Sequence, residues 1–138
     1  MTKFLTILGL GVGTVAFASS SVTLKASVNV LMPIVVTVDD LNFGNIVRPT
    51  GQSESHKTIA NLTIQGQKNE KVTIVMPDSL SMDSGKNSIN VDLALPDKTP
   101  TLDQSGQAIE SITASIELTP QTQTGSYSGS TTITVSYM

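Results

Sequence analysis

From position 22 to position 38 every second residue is apolar: Val22, Leu24, Ala26, Val28, Val30, Met32, Ile34, Val36 and Val38. Side chains of an extended strand alternate between its two faces, so all of these would share one side. At about 3.3 Å per residue the run would extend roughly 55 Å, about three times an ordinary strand, and one small domain cannot cover it. Pro33 supplies a break, because it has no N–H for a ladder and is poorly tolerated inside a central strand. Residues 34–38 then form a strand of the local domain, and residues 22–32 are surplus to it.

The residues before this run read as a secretory signal. Lys3 makes the start positive, residues 4–15 are apolar apart from Gly and Thr, and Ala16-Phe17-Ala18 fits a small-x-small cleavage pattern. Cleavage after Ala18 is predicted. An uncleaved anchor would need roughly 20 apolar residues to cross a bilayer, more than are present. The predicted organisation is a signal peptide over residues 1–18, an extension over 19–32 and a domain over 33–138. The formal net charge of −3 becomes more acidic once Lys3 is removed, which argues against nucleic acid as a partner. With no cysteine in an exported chain, the fold must be held by its core or its partners rather than by disulfides.

Trp is absent and aromatics make up 4% of the chain, so the core must be built mainly from Val, Ile and Leu, which favour strands. Period-two patterning predicts strands over residues 34–38, 57–65, 71–76, 89–95, 108–119 and 126–137, with a short extended piece over 41–46. A slip between Ile59 and Leu62 suggests a bulge, and residues 59–64 and 72–76 suggest an antiparallel hairpin. Residues 78–88 and 97–107 read as exposed loops. A helix over 108–119 is the alternative to a strand there, but the period is two. The predicted fold is all-β: an incomplete immunoglobulin-like antiparallel sandwich of six strands plus an N-terminal donor strand. Such a sandwich calls for a strand after the sixth, and no residues follow to supply it.

A sandwich short of one strand exposes a groove of core side chains beside unpaired backbone groups, a hazard unless another segment fills it. Strand addition satisfies both needs, with ladder hydrogen bonds at the edge and alternate apolar side chains in the groove. If Val22, Leu24, Ala26, Val28 and Val30 of one copy fill the groove of the next, the contact is head-to-tail, and head-to-tail contacts that do not close on themselves make fibres.

Two motifs and the ending carry a family resemblance. They are Leu41-Asn42-Phe43-Gly44, Gly125-Ser126-Tyr127-Ser128-Gly129, and the terminal alternation through Ile133, Val135 and the penultimate Tyr137 to Met138. On these the chain resembles the cysteine-free, pilin-like subunits of chaperone–usher pili. The resemblance implies a fimbrial subunit exported through the periplasm to the cell surface, where its fibre supports adhesion or biofilm. It implies three partners: neighbouring identical subunits, a periplasmic chaperone and an outer-membrane usher. The chaperone would pair with the last strand through Ile133, Val135 and Tyr137 and hold the carboxylate of Met138. The usher would then exchange that donor for the next subunit's amino-terminal segment. Gly125 and Tyr127 belong to the same carboxyl-terminal strand in this reading.

Other chemistry is weakly signalled. His56 is read as solvated in a polar Ser-His-Lys loop, and no nucleophile or positioned base accompanies it, so no catalytic residue and no enzyme is predicted. Asp39-Asp40 lacks the ligand spacing of a calcium loop, and no metal or cofactor is predicted. Asn61-Leu62-Thr63 matches a glycosylation pattern inside a predicted strand and is read as chance. The rival to a polymer subunit is a self-contained secreted β-sandwich binding module, possibly for carbohydrate, in which residues 22–30 complete their own sheet.

Overall fold

A computed structural model describes residues 18–138. The signal peptide expected over residues 1–18 lies, but for Ala18, outside the described residues. The chain divides into two units, Met1–Val30 and Leu31–Met138. In the first, residues 18–30 belong to no helix or strand and are exposed. The second is built from seven strands: β1 (Val35–Val38), β2 (Glu54–Gln65), β3 (Val72–Val75), β4 (Ser79–Ser84), β5 (Asn87–Ala94), β6 (Gln107–Leu118) and β7 (Thr134–Tyr137). They make a five-stranded sheet in the order β1-β2-β6-β5-β4 and a two-stranded sheet β3-β7, with every pairing antiparallel. The fold is the expected all-β antiparallel sandwich, with seven strands rather than six.

The long pair β2 and β6 is the spine. It pairs without interruption from Glu54↔Leu118 to Gln65↔Gln107. Ala60, Leu62 and Ile64 of β2 and Ile112, Ala114, Ile116 and Leu118 of β6 are buried on its inner face. That continuous register removes the bulge expected between Ile59 and Leu62. Ile59 instead points outward and is exposed, while Ala60 takes the inward position; a single small residue hid the true phase of the strand. The helical alternative for residues 108–119 is likewise excluded, since they form β6.

The hairpin expected between residues 59–64 and 72–76 does not form. Both edges of β2 are already taken by β1 and β6, so the turn after Gln65 carries the chain across to the second sheet. There β3 pairs with β7, and its other edge is bonded by an irregular segment: Val72 N donates to Pro100 O (3.0 Å), Ile74 N to Lys98 O (2.7 Å) and Leu102 N to Glu70 O (2.9 Å). Residues 97–107 are therefore not simply exposed. Pro100, Leu102 and Gly106 are buried, and Leu102 joins the core beside Val72 and Ile74. Pro100 lacks the N–H that would extend the ladder, so the segment backs β3 without being a strand.

Residues 78–88, expected as a crossover loop, contain β4 and the turn into β5. Ser84 pairs with Asn87, and Gly85 takes a positive φ of 62° in the two-residue connection. Only Leu80 and Met82 mark the inward face of β4, and two apolar residues among serines are a faint signal. At the other extreme, residues 41–46 form no strand, and of residues 126–137 only β7 does. Ser128 alone makes an isolated bridge, to Asp83.

Asp103 fixes the connection into β6. Its Oδ1 accepts from Ser105 N (2.8 Å), Ser105 Oγ (2.6 Å) and Gln107 N (3.0 Å), while Gly106 closes the turn at φ 82°. These donors, led by the Ser105 hydroxyl, hold the Asp103 carboxyl below its ordinary value. A depressed acid stabilises the fold above its unfolded pKa and loses that contribution as pH falls through its folded one. Glu110 works in the opposite sense: burial first, then the charge of Asp97, raises it, so its contribution fades as pH rises through its raised value. Asp103→Ala should lower the melting temperature at pH 7, and the gap to the parent should shrink as pH is taken below the ordinary carboxylate range. A gap that stays constant with pH would show that the carboxylate is not the stabilising element.

Candidate functional site

The inner face of the five-stranded sheet is left partly uncovered along a groove. Residues 38–48 form one wall and residues 122–133 the other. At one end is a cavity of about 480 Å³ floored by Ala60, Leu80, Met82, Val91, Leu93 and Ile112, with Val38, Leu41, Phe43, Gly129 and Ile133 on its sides. At the other end a cavity of about 360 Å³ is floored by Met82, Ile89, Ile116 and Leu118, with Ile46, Arg48 and residues 122–127 around it. The two share Leu41, Asn42, Phe43 and Met82, so they are one trough.

Strand parity shows that this surface belongs to the core side. Val36 and Val38 pair with Ile64 and Leu62, both fully buried, and so face the same way, yet Val36 is 37% and Val38 47% exposed. Leu41, Phe43, Ile46, Leu80, Met82, Ile89, Ile133 and Val135 pack against the core but are only partly buried. Apolar side chains that point inward and still meet water mark a place where cover is lacking.

The walls are irregular for local reasons. Asp39 ends the ladder of β1 by exchanging bonds with Asn61: its N–H donates to Asn61 O (3.1 Å) and its Oδ2 accepts from Asn61 N (3.2 Å). Beyond it Gly44 turns at φ 75°, its N–H held by Asn42 Oδ1 at 2.8 Å. On the opposite wall Tyr127 donates its hydroxyl to Gln123 O (2.7 Å), and Ser128 exchanges bonds with Asp83 (2.8 and 3.1 Å). That bridge draws Gly129 onto β4 so closely that a Cβ there would collide with the Ser81 carbonyl oxygen. Arg48 ties the walls together at the far end, donating from Nη1 to Thr122 O at 3.2 Å.

β7 continues from the wall residue Ile133 and has an unpaired edge. Met138 N donates to Lys71 O (3.1 Å), so the N–H and C=O groups of alternate residues Val135 and Tyr137 point away from β3. Among the described residues β7 has no strand on that side. Tyr137 is anchored from its other end: its hydroxyl donates to Met32 O (2.5 Å) and accepts from Gln67 N (2.7 Å), in space left by Gly66, where a Cβ would lie 2.6 Å from the hydroxyl oxygen.

Of the residues singled out from sequence, Gly125 and Tyr127, which lie outside the carboxyl-terminal strand expected to hold them, line the trough with Ile133, whereas Val135 and Tyr137 lie in β7 and line neither cavity. Met138 follows them and is exposed. Val22, Leu24, Val28 and Val30 lie in the first unit, with exposures from 79% (Val28) to 93% (Leu24), and Ala26 is exposed with them. The sequence reading missed the floor residues Leu80, Met82 and Ile89 and the wall residue Arg48, and weighed Asp39-Asp40 only as a calcium pair. The i, i+2 pairs Leu41/Phe43 and Leu80/Met82 were the available signals. His56 is not in a loop. It lies within β2 opposite Ile116, and its Nε2 is enclosed without a hydrogen-bond partner, 3.5 Å from Glu54 Oε1.

Gly129→Ala should force the wall away from β4 and cost about 1–3 kcal/mol, the range for overfilling a packed site. Urea unfolding checks this, and a midpoint equal to the parent's would mean that the close approach is easily relieved.

Residues 51–137 match the sequence profile of a family described as "Domain of unknown function (DUF4402)". No curated protein and no solved structure matches the chain.

Proposed function

This chain belongs to the DUF4402 family, and we propose that it is a structural subunit of a surface pilus, polymerised when residues 22–30 of one copy fill the groove of the next. The observation that carries the reading is the trough itself, an apolar floor on the core side of a sandwich beside an edge strand with unused backbone groups. Residues 22–30 offer what that trough lacks, namely extended main chain for the β7 edge and a single row of apolar side chains for the floor. Because the donated segment and the receiving groove are different surfaces of one chain, each joint leaves a new groove and a new segment at the ends.

The magnitudes favour a durable joint. Burying Val22, Leu24, Val28 and Val30 is worth roughly 1.5–3 kcal/mol each, with ladder hydrogen bonds in addition, set against the cost of ordering the segment. On this reading a periplasmic chaperone fills the groove during export and an outer-membrane usher exchanges it for the neighbour's segment. The fibre then carries whatever adhesive role the surface has.

The chain from residue 19 onward should form a ladder of oligomers that survives detergent without boiling. Deleting residues 19–30 should abolish the ladder, and Val28→Asp should weaken it strongly, because a carboxylate would have to be buried on an apolar floor. A deletion variant that polymerises like its parent would rule the reading out.

A further inference from the structure

We propose that Lys25 sets the register of the incoming segment by pairing with Asp40 on the groove wall, an inference that rests on the polymer reading above. Apolar alternation cannot do this alone. It forbids a slip of one residue, which would turn every side chain to the wrong face, but Val22, Leu24, Val28 and Val30 are near equivalents under a slip of two. A further signal is needed, and charge supplies it.

The groove carries few charges, and they are separated. Asp39 and Asp40 flank the larger cavity, Arg48 flanks the smaller, and all the other lining side chains are uncharged. Asp39 is already turned to the Asn61 N–H, whereas Asp40 is exposed and has no hydrogen bond among the described residues. Asp40 lines only the larger cavity and Arg48 only the smaller, so the two charges mark different ends of the trough. The exposed segment, in turn, contains one charged residue in residues 19–32, Lys25. With the even-numbered residues on the floor, Lys25 projects toward the rim. A two-residue slip moves it about 7 Å, close to the screening length of about 8 Å at physiological salt, so attraction to Asp40 and repulsion from Arg48 separate one register from its neighbours.

The test uses the chain from residue 19 onward, following the growth of the detergent-resistant ladder at low ionic strength, with thermal melting to confirm that each variant is folded. Lys25→Glu should slow ladder growth about tenfold, an effect that 1 M salt should remove. Adding Asp40→Lys to Lys25→Glu should restore the parental rate. Parental growth by Lys25→Glu alone, rescue by Arg48→Glu in place of Asp40→Lys, or rescue by neither would each overturn the register while leaving the groove as the site of assembly. Failure of the parent to form any ladder would instead remove the polymer reading itself.

Discussion

A five-stranded sheet faces a two-stranded one, and the rest of the structure follows from that imbalance. The narrow β3-β7 sheet, widened by the irregular segment bonded to β3, covers the middle of the spine, where Leu62, Ile64, Ala114 and Ile112 are fully or almost fully buried. It does not reach the margins. There Val36 and Val38 on one side and Leu80, Met82 and Ile89 on the other retain the orientation of core residues without the burial. Water at such a surface is costly, at about 25 cal/mol per Å² of apolar area.

The rim of the trough is fixed by hydrogen bonds and close contact rather than by regular strands. Arg48 joins the walls at one end, Ser128 and Gly129 lock one wall to β4, and Tyr137 holds β7 to the turn after β2. A wall made of strand would have to spend its backbone groups on ladders, and would close the space that the irregular walls leave open. The bridge from Ser128 also occupies the outer edge of β4, so that side of the large sheet is not a free template at that point.

The fold class was legible because apolar residues recur at alternate positions through β5, most of β6 and the end of β2. The pattern failed where the inward residue was small or scarce. Ala60 disguised the phase of β2, and the serine-rich β4 offered only Leu80 and Met82. Pairing was harder still, since a hairpin inferred from adjacency takes no account of edges already used by β1 and β6. Part of one wall of the candidate site was readable through Ile133, and the strand that continues from it through Val135 and Tyr137. Its floor was not, because that surface is assembled from β2, β4, β5 and β6 together, and no local stretch encodes it.

The hydroxyl of Tyr137 joins Met32, where the chain enters the second unit, to the turn at Gln67, and its ring is carried by β7. Tension applied to the chain ahead of Met32 would therefore load the end of β7 through that hydroxyl as well as β1 through the main chain. In the assembly proposed above, a pull on the leading segment would load this single phenol together with β1, which has only four residues with which to resist it.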